Sequence, residues 1–456
     1  MKIQTINPMT EEIVHQYPVL NKDQVNQKIQ QAYTRFQSWR KTTIAERSDL
    51  MMNIATCLRQ RQTEFAILMA TEMGKPITAG KAEIEKCAWV CEHYAQHAAS
   101  YLTPQWIKTE MKKSMVCYEP LGVVFAIMPW NFPFWQVFRF AAPNIMAGNV
   151  ALLKHAPITT GTGNAIMALF IEAGFPEHVF QHVVIDNEMA AYVIEHKQVV
   201  GVTLTGSERA GKVVASHAAN HLKKTVLELG GSDPYIVLAD ADLDLAARNI
   251  VTSRLNNTGQ TCIAAKRIIV VREVAEPLAE KIMTLINEYP MGDPLDPKTK
   301  LGPMARADLR DSLHQQVMDS LAAGAVLRLG GVIPDKPGYY YPPTLLTEVH
   351  AGMPAFDDEL FGPVFVMISA QDETDAISLA NQTRFGLGAA IFTSDLERGE
   401  YLAMHEIEAG TCFVNSMVVS DPRLPFGGIK HSGYGRELSK EGFLEFMNVK
   451  TVGIHG

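Results

Sequence analysis

Val200-Gly201-Val202-Thr203-Leu204-Thr205-Gly206-Ser207-Glu208-Arg209-Ala210-Gly211 holds a strand, a turn and the start of a helix in one short stretch. Its β-branched first half reads as a strand. Gly206 permits a tight turn, and Ser207 can cap a helix over residues 208–219. The exposed amides of such a helix start favour an anion, a pyrophosphate among them. An ordinary strand-to-helix cap has the same sequence, and the Gly-x-Gly-x-x-Gly fingerprint is not present here.

On either side the pattern repeats. Short apolar runs at Val123–Ile127, Val150–Leu153, Val179–Ile185 and Thr225–Leu227 read as strands, and Asn164–Ala173, Glu188–Glu195 and Glu208–Ala219 read as helices. Strands alternating with helices predict an α/β fold with a mostly parallel, doubly wound sheet. Such sheets bind ligands beyond the carboxyl ends of their strands. A second alternating region follows a double glycine at Gly230-Gly231, a natural boundary. There Asp242–Asn256, Ala275–Glu288 and Ala307–Ala323 read as helices, Arg267–Val271 and Pro363–Ile368 as strands, and Gly330–Pro343 as a loop. The first hundred residues read as helical. Val25, Ile29, Ala32 and Phe36 recur at helical spacing behind an Asn21 cap, Ser48 is the expected cap of a second helix continuing through Ile67, and a third is expected over Ile84–Tyr101.

Composition narrows the classes. A chain of 456 residues exceeds one ordinary core and implies two or three domains. A net charge of -8 with no long basic block argues against nucleic acid. The N-terminus has no apolar signal core, and Pro129, Asn131 and Pro133 break the longest uncharged stretch, so no membrane partner and a cytoplasmic setting are expected. Six cysteines in so long a chain are not a disulfide scaffold. Cys87 and Cys91 lie one helical turn apart without a matching His or Cys pair, so packing is the better reading and no metal is expected.

Three segments can carry chemistry. Asn257-Thr258-Gly259-Gln260-Thr261-Cys262 places a thiol among small and polar residues, which leave room for a carbonyl. Pro129-Trp130-Asn131-Phe132-Pro133 pins an amide side chain between two prolines, as an oxyanion site requires, although an Asn in a Pro-rich turn also serves as a local cap. Glu228 and Glu359 each stand beside glycine-rich turns. Either can be a general base, a ribose-binding acid or a surface acid.

In order, these segments make the chain resemble the NAD(P)-dependent aldehyde dehydrogenase superfamily, from about residue 5 to the C-terminus. The resemblance also rests on Leu153-Lys154, on Glu359-Leu360-Phe361-Gly362-Pro363, on Pro425-Phe426-Gly427-Gly428-Ile429-Lys430, and on Ser432-Gly433 with Gly435-Arg436-Glu437. It implies an aldehyde dehydrogenase-like fold: a Rossmann-like cofactor domain (1–103 and 121–228), an α/β catalytic domain (229–430) and a small β oligomerisation arm (104–120 and 431–456). It implies Cys262 as nucleophile, Asn131 with the Cys262 amide as oxyanion site, and Glu228 as the base that activates water. Trp130, Lys154, Gly206, Ser207, Glu359 and Phe361 are then expected around NAD or NADP. NAD-preferring relatives usually carry a glutamate where this chain has Pro157, so neither cofactor is excluded. A homodimer or homotetramer is implied. The chain stops soon after Val449–Val452, so a shortened assembly contact is expected.

At the substrate end the chain resembles succinate-semialdehyde dehydrogenases. Arg139, eight residues beyond Asn131, and Ser420, five before Pro425, are expected to bind a carboxylate. A second arginine used by some of those enzymes falls on Asn256. The competing expectation is that Arg139 pairs with a structural acid and the substrate is a neutral aliphatic or aromatic aldehyde. A non-enzymatic scaffold would need no nucleophile, base or oxyanion donor, and transfer to CoA would not need Glu228.

Overall fold

The computed structural model describes residues 2–456 and has two large sheets, a small three-stranded sheet, and an N-terminal region of one two-stranded pair followed by helices. The first large sheet has the order Gly433–Tyr434, Lys224–Glu228, Val199–Thr205, Val123–Met128, Val150–His155, Phe180–His182. Every pair is parallel except the first. All six residues of Val150–His155 are buried, as expected of a parallel strand covered on both faces. Chain order reverses between Val123–Met128 and Val199–Thr205, and a crevice opens beyond the carboxyl ends of strands at such a point. The expected strand over 179–185 is restricted to Phe180–His182. Ser207 caps the helix Glu208–Asn220 by accepting from the Ala210 amide at 3.3 Å.

The second sheet runs Val326–Leu329, Thr344–Thr347, Val364–Ala370, Arg267–Val271, Pro234–Val237, Gly388–Phe392, Thr411–Val414, parallel beyond its first pair. Cys262 and Glu359 lie just before the starts of two of its strands. Hydrogen bonds join Asn131, beyond a carboxyl end of the first sheet, to Gln260 and Asn257 on the approach to the second. The site is thus built where carboxyl ends meet amino ends.

The third sheet pairs Met447–Ile454 with Lys113–Pro120 and that strand with Gln105–Trp106. Within the segment expected as arm, Gly433–Tyr434 pairs instead with Lys224–Glu228 and is the edge of the first large sheet.

The N-terminal region departs from the helical reading. Lys2–Ile6 and Ile13–Pro18 form an antiparallel pair. Asn21 does cap Lys22–Trp39, in a reciprocal box with Gln24. The next helix, Ile44–Gln60, begins at Thr43 rather than Ser48, because Thr43 and Glu46 satisfy each other's backbone amides. Ser48 lies inside that helix, and its hydroxyl donates to the Ala95 carbonyl at 2.8 Å. A separate helix, Gln62–Met73, follows Arg61, and the third expected helix begins earlier, at Ile77, directly after Pro76.

Candidate active site

The turn before Cys262 is strained and clamped. Asn257, Thr258 and Gly259 have φ of 54°, 55° and 75°. For a β-branched threonine that conformation is costly and needs outside support. The Thr258 hydroxyl donates to the Gly302 carbonyl at 3.2 Å, and Asn257 Nδ2 donates to the Asn131 carbonyl at 2.7 Å. Arg254, fully buried, donates to the carbonyls of Val364 at 2.6 Å, Leu360 at 2.7 Å and Gly259 at 3.5 Å. Only glycine fits at 259, since a Cβ there would lie 2.3 Å from the Gly362 carbonyl carbon. Strain and clamp together place the half-buried Cys262 on the wall of a cavity of about 220 Å³.

Burial pushes the Cys262 thiol up to about 11; Lys266 and Arg139 oppose this, while Asp233 and Glu359 reinforce it. Lys266 Nζ donates to the Cys262 carbonyl at 2.5 Å and to Glu359 Oε1 at 2.9 Å, tying the nucleophile turn to Glu359. Asn131 is 5% exposed, and its Nδ2 donates to the Gln260 carbonyl at 3.1 Å. An amide nitrogen carries two hydrogens, so a second remains for another acceptor.

Glu228 ends the strand Lys224–Glu228 with 2% exposure, and neither carboxyl oxygen has a hydrogen-bond partner. Such a group in a native fold points to a chemical role. The side chain reaches toward Gly427, where an added Cβ would lie 2.8 Å from Glu228 Oε1. Burial raises its carboxyl well above the ordinary range; Arg139 opposes and Glu437 adds to the shift. Glu437, ion-paired with Arg139, is itself raised by burial. The cavity wall includes Cys262, Arg139 and Ser420, but not Glu228.

Trp130 meets Phe361 edge to face at 5.8 Å. Lys154, 5% exposed, makes no side-chain hydrogen bond or ion pair among the described residues, and burial lowers its pKa against the pull of Asp186. A buried ammonium without an acceptor, a serine-capped helix start and a carboxylate held by Lys266 and the Gly231 amide would suit a dinucleotide: hydroxyls at Lys154 and Glu359, pyrophosphate at Ser207. Pro157 opens a short 3-10 turn after the Lys154 strand and adds no charge. Among the described residues no cluster of three or more His, Cys, Asp or Glu is placed to hold a metal.

On the cavity wall, Arg139 is ion-paired with Glu437, and its Nη2 donates to Thr205 Oγ1 at 3.3 Å. Ser420 accepts from Lys86 Nζ at 2.7 Å. Lys86, Lys266, Arg254 and the Glu437 partner role were not evident in the sequence. Only Lys266, four residues after Cys262, and Glu437, within Gly435-Arg436-Glu437, had any local signal.

Three comparisons accord with this geometry. The Aldehyde dehydrogenase family matches residues 1–452. A probable NADP(+) succinate-semialdehyde dehydrogenase of Synechocystis sp. is 48% identical over 454 residues, covering 100% of both chains. The Escherichia coli K12 NAD(P)+ succinate semialdehyde dehydrogenase Sad is 45% identical over 98% of this chain and 97% of its own. The crystal structure of succinic semialdehyde dehydrogenase from Streptococcus pyogenes in complex with NADP+ superposes with a TM-score of 0.97 at 37% identity, with full coverage of both chains.

Proposed function

Because the chain belongs to the aldehyde dehydrogenase family, we propose that it oxidises a short semialdehyde, succinate semialdehyde, to the dicarboxylate succinate with NADP or NAD. The observation that carries this reading is one cavity with a thiol on its wall, aromatic sides, and cationic and hydroxyl groups, Lys86, Arg139 and Ser420, among its lining. Phe132, Trp135 and Phe426 offer an apolar surface for the methylenes between the two ends of such a substrate.

Cys262 attacks the aldehyde carbon once its proton is lost, giving a thiohemiacetal. Asn131 Nδ2 and the Cys262 amide hold the oxygen that becomes negative, and they do so from fixed positions, which is what makes such donors effective. The nicotinamide cofactor, when bound along Trp130, Lys154, Gly206, Ser207, Glu359 and Phe361, supplies the two-electron acceptor. The acyl group is left on sulfur as a thioester. Glu228 removes a proton from water for its hydrolysis. Its unpartnered carboxyl has no hydrogen bond to break before turning toward Cys262. Because burial raises that carboxyl above the ordinary range, hydrolysis speeds up as it ionises with rising pH. Arg139 and Ser420 lie at the carboxylate end.

The three-stranded sheet exposes Trp106, Ile107, Val449 and Ile454, an apolar face suited to a second copy in a homodimer or homotetramer. Six free cysteines fit a reducing, cytoplasmic setting, and no helix of the described residues is long and apolar enough to cross a membrane.

Initial rates with succinate semialdehyde and with hexanal, each with NAD and NADP, test the reading. Preference for the semialdehyde is expected. Preference for hexanal returns the protein to general aliphatic or aromatic aldehydes, and the cofactor ratio reads the consequence of Pro157.

A further inference from the structure

Three cations line the cavity, and two are already neutralised. Lys75 is ion-paired with Glu83, whose other oxygen accepts from the Phe134 and Trp135 amides at 2.9 Å each. Arg139 is ion-paired with Glu437, which is not on the cavity wall. Lys86 is different. No carboxylate among the described residues lies within 4.0 Å of it. Asp421, next to Ser420, is bound to Arg423 at 2.6 Å.

What Lys86 does have is orientation. It stands on the long helix Ile77–Tyr101, with Nζ 2.7 Å from Ser420 Oγ and 4.2 Å from the centre of the Trp135 ring. An ammonium has three hydrogens. Ser420 takes one, the ring shields one side, and the others are free for a ligand in the cavity. A half-buried ammonium with no counter-ion is costly to hold, and an incoming carboxylate offsets that cost.

We propose that Lys86, with Ser420, is the group that grips the distal carboxylate of the substrate and so determines specificity. Arg139 then shapes this end of the cavity with its charge already balanced by Glu437. The inference rests on the semialdehyde reading above and assigns its charge recognition to a residue outside the expected set.

The surroundings favour the role. Burial and Arg139, from the helix Trp135–Met146, pull the Lys86 pKa down to about 8, while Glu83 and Cys87 on its own helix and Asp421 opposite oppose this. The group is charged at neutral pH and loses its proton in the mildly alkaline range. Affinity for an anionic substrate is therefore present below pH 8 and declines above it, and a neutral aldehyde does not follow that decline.

The test uses the full enzyme, saturating NADP, and two four-carbon substrates, succinate semialdehyde and butanal. In Lys86→Met the ratio of kcat/KM for the semialdehyde over butanal is expected to fall at least 30-fold, mostly through KM, and Lys86→Arg is expected to recover much of it. A Lys86→Met enzyme that keeps the wild-type ratio within threefold overturns the proposal and leaves the semialdehyde reading intact. Wild-type enzyme that favours butanal overturns both. The wild-type pH profile is independent of whether the variant folds: KM for the semialdehyde rising between pH 7.5 and 9.5 supports the proposal, and a flat KM refutes it.

Discussion

The resting state of Cys262 is the sharpest quantitative consequence of the site. Burial outweighs Lys266 and Arg139 and pushes the thiol up to about 11. An unperturbed thiol near 8.5 is about 3% ionised at pH 7. At about 11 the Cys262 thiolate fraction is ~0.01%, roughly 300-fold less. A more basic thiolate is a better nucleophile, by about tenfold over this interval if the dependence found in disulfide exchange applies. Alkylation of Cys262 by iodoacetamide in cofactor-free enzyme should therefore be roughly 30-fold slower than that of free cysteine at pH 7. It should climb about tenfold per pH unit from 7 to 9 without levelling. Quantifying the labelled Cys262 peptide by mass spectrometry measures both. A plateau by pH 8 would mean instead that the nearby cations outweigh burial at Cys262.

Three further outcomes follow from the geometry. Asn131→Ala should lower kcat by about 10²–10³ while cofactor binding, followed by fluorescence titration, changes little; equal losses in both would make Asn131 structural. Gly259→Ala forces a Cβ to within 2.3 Å of the Gly362 carbonyl carbon at φ +75°, which costs on the order of 3 kcal/mol. It should lower both the thermal midpoint and the rate, and an unchanged enzyme would show the turn to be pliable. Where hydrolysis is rate-limiting, kcat should rise with pH as the raised Glu228 carboxyl ionises; a kcat that falls through the same range contradicts the assigned base.

The turn at Gly206 and the parallel sheet were legible for one reason: local chemistry dictates both. Gly206 and Ser207 mark a strand-to-helix cap, and the run Val150–Leu153 is apolar because both its faces are covered. The Thr43–Glu46 box was just as local, being a Thr-x-x-Glu signature, and Ser48 was preferred only because it too resembles a cap. Other features have no local signal. The strands Lys2–Ile6 and Ile13–Pro18 are short, mostly exposed and carry little alternation. Arg254 reaches carbonyls at Leu360 and Val364, across more than a hundred residues. Lys86 sits in Glu85-Lys86-Cys87, a pattern that an ordinary solvated helix face shares, and only the tertiary approach of Ser420 reveals where it points. The Arg139–Glu437 pair is also tertiary, and it places the charge of Arg139 in a balance no sequence spacing could specify.

Trapping the acyl-enzyme decides whether Cys262 and Glu228 act in the roles assigned to them. Glu228→Gln enzyme mixed with succinate semialdehyde and NADP should release one rapid burst of NADPH per active site, then nearly stop, and mass spectrometry should find a succinyl group on the Cys262 peptide. A burst-free enzyme with Cys262 unmodified would contradict the account, as would a succinyl group carried elsewhere.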